Sequence, residues 1–445
     1  MSAEVFDTVG VGFGPANIAL AVAHAESGSN HSLAFFEANA TPAWQPGMLL
    51  AGSDIQHNPL RDFITPRNPC SSYGYLNYLK SRNRLFHFLN VDSPYPPRTD
   101  YAQYVQWVAD HFSGLVHYSE KVIEVSLSDE VDPQRGRNLI HVNTEQGTYR
   151  ARSLSFAPGR SNNIPPVFQP HLGTRAFHFT DYAYRRDEWR RGGAPSSVAV
   201  VGASQSAVEI ILDLHAALPG TAVHSVFRTF SYVLKDTSPF TEDLLLPSFT
   251  DYFYGVPAQS KRQLNEQVLR SNYGSADHDV IKKLYFLLYE NEVREDSSIT
   301  VRNNTRISQV LTQDDGMKLL LQDVHTHEAE SLHVDAVILA TGFRNFGRAE
   351  NEELHHPLLA GVVDNYAVDQ DGVPLITRSY QLVPANDRPS APPIFLNGLC
   401  EHSHGLGDAG SFSLLSYRAA EMERALANAL DTAPDTAAAS LPPGD

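Results

Sequence analysis

Short apolar runs closed by glycine recur along the chain, and two of them are followed by apolar positions at helical spacing. Phe6 to Val9 leads into Gly10-Val11-Gly12-Phe13-Gly14-Pro15, and Ile18, Ala21 and Val22 then mark one face of a helix over 15–25. The run Ser32 to Phe36 predicts the next strand, which ends in Glu37. The same order returns later in the chain. Ser197 to Val201 precedes Gly202-Ala203-Ser204-Gln205-Ser206-Ala207, a helix is predicted over 206–217, and Ala222 to Phe227 forms the following strand. Further strands are predicted at Leu139–Val142, 334–340 and 393–398, and helices at 101–112, 258–269, 278–292 and 414–430. The run Leu154 to Gly159 reads as a crossover between domains, and 41–67 and 235–254 read as irregular. Loops of that length are more often functional than simple connectors.

A strand, a tight glycine turn and a helix place backbone amides against a pyrophosphate. In the first unit Gly10, Gly12, Gly14 and Pro15 make the turn, with Pro15 standing where a third spaced glycine is usual. Glu37, roughly 20 residues on, is where a ribose hydroxyl is held. In the second unit Gly202, Ser204, Gln205 and Ser206 make the turn, and the next strand is followed by Arg228 instead of an acid. A cation there suits the 2′-phosphate of NADPH. Two such units predict an α/β fold with two Rossmann-like dinucleotide-binding domains and a small, partly helical substrate-binding region. The expected division, with FAD and substrate placed by the family resemblance given below, is an FAD-binding domain over 1–170 and an NADPH-binding domain over 171–330, with a substrate-binding insertion near 235–292. A return segment of the FAD domain, with a substrate loop, is expected over 331–430, and a disordered tail over 431–445. One dinucleotide held and one exchanged points to a flavoprotein reduced by a nicotinamide cofactor.

Composition narrows the class. The 445 residues carry a net charge of −17, with 42% hydrophobic and 19% charged positions. That balance excludes nucleic acid as a partner, since phosphate contacts need clustered Lys and Arg. No apolar run is long enough to span a bilayer, and no signal peptide opens the chain, so a cytoplasmic protein is expected. Cys70 and Cys400 cannot form a CxxC dithiol, which argues against the disulfide reductases, and the histidines show no metal-ligand spacing.

Several ordered segments carry a more specific likeness: Val11 to Asn17, Trp44-Gln45-Pro46-Gly47-Met48-Leu49-Leu50, Asp54-Ile55-Gln56, Pro69 to Leu79 and Tyr95-Pro96-Pro97-Arg98. The second half adds Asp236 to Phe240, Ser271-Asn272-Tyr273, Ala340-Thr341-Gly342-Phe343 and His402 to Leu406. In these the chain resembles the flavin-dependent N-hydroxylating monooxygenases, which act on the side-chain amine of ornithine or lysine in siderophore biosynthesis. The resemblance implies FAD on the first unit, NADPH on the second, and conversion of a small-molecule amine and dioxygen to a hydroxylamine through a flavin hydroperoxide. It implies Trp44, Met48 and Gln56 at the flavin ring, with Thr341, His404 and Leu406 also on cofactor. Gln56 and Asn272 are the implied catalytic residues, and Arg61, Glu242, Asn272 and Ser416 the implied substrate contacts. A homodimer or homotetramer is expected from the same source.

The chain departs from the family's pattern around the substrate. Arg61 replaces a lysine, Glu242 replaces an asparagine, His57-Asn58-Pro59 replaces small or apolar residues, and the loop 407–413 is longer. A diamine such as putrescine or cadaverine, or an acidic amino acid such as aspartate oxidised at its α-amine, therefore stands as an alternative substrate. A carbon- or sulfur-oxygenating flavin monooxygenase and an inactive flavoprotein are the further alternatives. Alkyl amines have a pKa near 10.4, so supplying the neutral nucleophile at about pH 8 costs roughly 3 kcal/mol. With no His/Asp base pair in the motifs, desolvation and an amide acceptor such as Asn272 are expected to supply it.

Overall fold

The N-terminal apolar run forms β1 (Val5–Val11) in the middle of a seven-stranded sheet of the computed structural model, which describes residues 5–91 and 93–432. Parallel strands β2 (Leu33–Phe36) and β3 (Val116–His117) lie on one side of it. On the other, β4 (Val122–Val131), β5 (Asn138–Thr144) and β6 (Thr148–Phe156) make an antiparallel meander whose last strand runs parallel to β1. The late strand Ile394–Leu396 returns to pair with β6. Every residue of β2 is buried, as expected for a strand covered on both faces.

The second sheet holds β7 (Ala176–His178), β8 (Ser197–Val201), β9 (Ala222–Val226), β10 (Ile299–Arg302) and β11 (Ala336–Leu339), all parallel, in the order β10-β9-β8-β11-β7. A three-stranded antiparallel sheet spans 305–334. The fold is thus α/β, with two Rossmann-like units. Helices α1 (Pro15–Ser27), α2 (Arg98–Asp110), α3 (Gln205–Ala217), α4 (Pro247–Gly255), α5 (Ala258–Val268), α6 (His278–Val293) and α7 (Leu415–Asp431) follow in chain order.

Both glycine turns have the same physical origin. A Cβ on Gly12 (φ +77°) would lie 2.5 Å from the Ala157 carbonyl, and one on Gly202 (φ +135°) 2.3 Å from that of Ala340. Each turn therefore closes against the end of the neighbouring parallel strand, where any side chain would collide. Neither following helix has a side-chain cap: Gly14 and Ser204 are the N-caps, and neither makes a capping bond, so the first-turn amides are unclaimed by side chains.

Four expectations need correction. The stretch 235–254 is not irregular throughout: Pro239–Glu242 forms one turn, and α4 starts at Pro247, whose fixed φ suits a first helical position. Buried Phe253 and Tyr254 anchor that helix. Helix α2 begins three residues earlier than expected, directly after Pro97. The strand expected over 334–340 is divided at Asp335, whose carboxylate accepts from the amides of Ser196 and Ser197. Helix α7 continues to Asp431, into the start of the expected tail, and 433–445 lie outside the described residues. Among the described residues no helix is long and apolar enough to cross a membrane.

Candidate active site

A cleft of about 470 Å³ runs from the first glycine turn to the loops 54–61, 235–245 and 406–412. At its first end Gly14 offers open space where a Cβ would stand. Asn17 fixes the turn from behind: its amide donates to the carbonyls of Val11 (3.2 Å) and Gly12 (2.6 Å), and its Oδ1 accepts from Ser155 and Asn397. Glu37 stands at the end of β2, as the pattern predicts. One carboxylate oxygen accepts from the Phe13 amide (2.8 Å), and the other from the amide (2.8 Å) and side chain (2.6 Å) of Asn39.

Farther in, Gln56 has φ +59°, an uncommon left-handed conformation for a residue with a side chain. The Asp54 carboxylate accepts its amide at 3.0 Å, while its own Nε2 is buried without a partner. Beside it His57 donates Nδ1–H to the Ile55 carbonyl (2.8 Å) and stacks on Phe412 at 5.5 Å, leaving Nε2 buried and unpartnered. Burial pushes the His57 pKa down to about 4, so the ring is neutral. Trp44 meets Phe412 edge-on at 5.3 Å along the same wall. Asn272 lies across the cleft under the loop 407–413, and a Cβ on Gly410 would come within 2.7 Å of its Nδ2.

Five cations line this space, and each is matched by a carboxylate. Arg98 grips Glu209 through two bonds of 2.8 Å and donates to the carbonyls of Met48 and Asp54. Arg160 donates to the Tyr273 hydroxyl (2.6 Å), which donates to Glu401 (2.5 Å). Burial opposes the charge on Arg160, but Tyr273 and Glu401 hold its pKa above the ordinary value. Burial also raises the carboxyl of Glu401. Lys235 stands 3.8 Å from Asp277, and Arg418 holds Asp408 at 2.7 Å. Arg61 and Glu242 meet at 2.6 Å, with both side chains about one third exposed.

The cleft thus gathers Gly12, Gly14, Pro15, Glu37, Trp44, Gln56, Arg61, Glu242, Asn272 and Leu406 from the candidates. Others do not line it. Gly10 lies below the turn, where a Cβ would overlap Phe35. Met48 turns its side chain into the core and offers its carbonyl to Arg98. His404 is packed between Tyr380 (4.1 Å) and Tyr254, with Nε2 on the Arg378 carbonyl. The His402–Leu406 motif suggested a cofactor contact for it, but burial among aromatic rings gives it a packing position. Ser416 lies within the first turn of α7, its hydroxyl buried without a partner. Gly202, Ser204, Gln205 and Ser206 form the second turn, where Gln205 donates to Glu209 and accepts from the Asp277 amide. Thr341 bonds Asn163 at the end of β11, and Arg228 is exposed just past β9. Sequence reasoning missed His57, Arg98, Arg160, Lys235, Phe412 and Arg418 as cleft residues. Arg98 stood in a quoted motif, the substitution at His57 was itself a signal, and Phe412 lay in the lengthened loop 407–413; Arg160, Lys235 and Arg418 carried none. A separate hollow of about 580 Å³ lies between α1, α4 and α7; its Arg67, Arg378 and Arg424 are already paired with Glu26, Asp251 and Glu421.

The family described as L-lysine 6-monooxygenase/L-ornithine 5-monooxygenase matches residues 4–345. The chain is 35% identical to an L-ornithine N(5)-monooxygenase of Burkholderia cepacia over 90% of both chains. It is 31% identical to one of Pseudomonas aeruginosa over 99% of this chain and 97% of that one. Among solved structures, the ornithine N-hydroxylase of Kutzneria sp. 744, with reduced FAD, NADP+ and L-ornithine, superposes with TM-score 0.86 at 28% identity, over 96% of this chain and 99% of that one. The L-lysine 6-monooxygenase of Pseudomonas syringae gives 0.82 at 32% identity, over 95% and 99%.

Proposed function

Because the chain belongs to the L-lysine 6-monooxygenase/L-ornithine 5-monooxygenase family, we propose that it is an FAD- and NADPH-dependent monooxygenase that N-hydroxylates the side-chain amine of ornithine or a lysine-like amino acid. The balanced reaction consumes amine, dioxygen, NADPH and a proton, and yields hydroxylamine, NADP+ and water. A cytoplasmic setting and a role in siderophore or related biosynthesis belong to the same reading. A homodimer or homotetramer is part of it too; the exposed stripe Tyr285, Phe286, Tyr289 and Val293 on α6 supports association.

One observation carries the reading. A single cleft joins a glycine turn suited to a pyrophosphate with Gln56, Asn272 and an openable ion pair. The residues present fit FAD: Gly14 leaves room for a phosphate against the uncapped start of α1, and Glu37 stands at the ribose distance along the sequence. The unpartnered Nε2 of Gln56 fits a polar ring edge. A flavin held there would supply the hydride acceptor for NADPH and the means of activating dioxygen. Gly202 to Ser206 would hold the NADPH pyrophosphate, with Arg228 at its 2′-phosphate.

The protein's own work is to position the amine and keep it uncharged. Trp44 and Phe412 exclude water from one wall. Neutral His57 adds no charge beside the amine, so a dry site favours the unprotonated nucleophile. Asn272 would accept an amine N–H through Oδ1, and Gln56 would donate to the reacting oxygen. The test is a hydroxylamine assay on FAD-replete protein with NADPH across ornithine, lysine, putrescine, cadaverine and aspartate. Product from ornithine or lysine is expected. NADPH oxidation that yields only peroxide with every amine would overturn the reading.

A further inference from the structure

Four of the five ion pairs around the cleft are oriented alike. Arg98, Arg160, Lys235 and Arg418 line it, whereas Glu209, Glu401, Asp277 and Asp408 do not, so each pair turns its positive end inward. Arg160 does so beside Asn272. A Cβ on Gly410 would stand 2.7 Å from Asn272 Nδ2, 3.0 Å from the Tyr273 hydroxyl and 3.7 Å from a terminal nitrogen of Arg160, so the three converge on one point of the loop 407–413. The guanidinium is fixed in place. Its Nη1 donates to the Tyr273 hydroxyl (2.6 Å) and to the Asn345 side-chain oxygen (3.3 Å), and its central carbon lies 5.4 Å from the Tyr273 ring and 5.0 Å from that of Phe343. Glu401 accepts from Tyr273 (2.5 Å) and Asn345 (2.7 Å), 3.9 Å from Arg160 and out of the cleft.

We propose that Arg160 sets the charge state of the reacting amine: the fixed guanidinium beside Asn272 opposes the ammonium form, so the nitrogen binds uncharged and its proton passes to solvent. This rests on the N-hydroxylase reading and supplies a step that the reading needs. An amide oxygen alone does not supply it, because Asn272 Oδ1 accepts more strongly from an ammonium than from a neutral amine. A like charge nearby has the opposite effect. The other groups facing this point leave the task to Arg160. Tyr273 is kept protonated by burial, and His57 is neutral. Arg61 meets Glu242 inside the cleft, Lys235 faces Asp277, and Arg418 holds Asp408. Asp54, an acid that lines the cleft, accepts the Gln56 amide. Arginine suits the role because its own charge persists at any working pH.

The test uses FAD-loaded protein and two readouts. Calorimetry in buffers of different ionisation enthalpy counts the protons released when ornithine binds at about pH 8 in the presence of NADP+, and hydroxylamine formation with NADPH gives kcat against pH. The native protein should release protons on binding. Arg160→Met should release fewer, and the rising limb of kcat should move up by about one pH unit, a tenfold loss below the limb that closes above it. Arg160→Met combined with Glu401→Gln, which strands no acid, should behave like Arg160→Met, and Arg160→Lys should restore the native limb. An ornithine analogue with two fluorines on the carbon next to the amine-bearing one is already largely uncharged at about pH 8, and should lose little rate in Arg160→Met. A merely structural role would slow both substrates alike at every pH, and that result overturns the proposal. Native binding without proton release would also overturn it, while product from ornithine would keep N-hydroxylation standing. Arg160-dependent release without product from any amine would sink the enzymatic reading instead and leave the charge effect in place.

Discussion

Asn272 enters the cleft from the end of a one-turn helix, with backbone φ −141° and ψ −27° and its amide bonded to the Leu269 carbonyl. Its side chain makes no hydrogen bond among the described residues, yet the loop at Gly410 presses against it. A polar group held in place by packing, with its own bonding capacity free, is preorganised for a ligand. Asn272→Ala should therefore leave the fold and NADPH oxidation largely intact. The amine would lose an acceptor worth about 1–3 kcal/mol, and hydroxylamine formed per NADPH should fall roughly tenfold, with peroxide rising to match. Parallel assays of hydroxylamine, peroxide and NADPH measure this. Unchanged coupling would remove Asn272 from the chemistry. Gln56 is the complementary case: its amide is buried without a partner on a left-handed backbone, the kind of local cost that proteins keep at functional positions.

At the scale of elements, the decisive contact is the one that ties α2 to α3. Arg98, in the first turn of α2, holds Glu209 on α3 through a bidentate pair and also braces the carbonyls of Met48 and Asp54. Glu209 in turn accepts from Gln205 at the second glycine turn. One connected set of bonds thus links the second glycine turn to the loop that carries Gln56. Glu209→Leu should cost about 3–5 kcal/mol, because it leaves a buried guanidinium alone. Adding Arg98→Met should recover much of that loss. Urea unfolding of the single and double variants gives the coupling, and additive losses would count against the clasp. The same contact shows where sequence reasoning stops. Both β-turn-α-β units were legible because strand period, glycine position and helix spacing are local. Glu37 was legible because its distance from the turn is fixed by one helix and one strand. Arg98–Glu209 is not local, since 111 residues separate the partners, and Arg61–Glu242 spans 181. Charges at such separations carry no period, so both Arg61 and Glu242 were candidates while their pairing was invisible. The turn Pro239–Glu242 and helix α4 were missed because both are short, proline-led elements in a stretch of loop-like composition. His404 sits in a quoted motif and Ser416 was a contact implied by the resemblance, yet both side chains are buried in packed interior, a direction that residue spacing does not encode.

Across the whole molecule, histidine burial sets the response to acid. Burial holds His57, His178, His356 and His402 at about 4, and pushes His404 well below its ordinary value. In the unfolded chain these rings protonate near 6.5. Between about 6.5 and 4 the unfolded state therefore binds protons that the folded state refuses, and stability falls as pH falls. Each ring contributes roughly 1.4 kcal/mol of loss by about pH 5.5. His24 acts in the opposite sense, because its bond to Glu423 raises its pKa and adds stability in acid. The carboxyls of Asp54, Asp62, Asp277 and Glu401, raised by burial, also oppose the loss, because the folded state takes up their protons ahead of the unfolded chain as pH falls. The histidines outnumber His24 in the window from 6.5 to 5.5, so the thermal midpoint should drop by several degrees across it. A level or rising midpoint would contradict the assignment of these rings as neutral. His57→Phe isolates the cleft's share: an apolar ring can keep the stack on Phe412 and removes one proton from the balance. The slope of unfolding free energy against pH near 5.5 should then fall by about one proton's worth. An unchanged slope would mean that His57 already carries a proton in the folded cleft, and the dry, uncharged wall beside the amine would be lost with it.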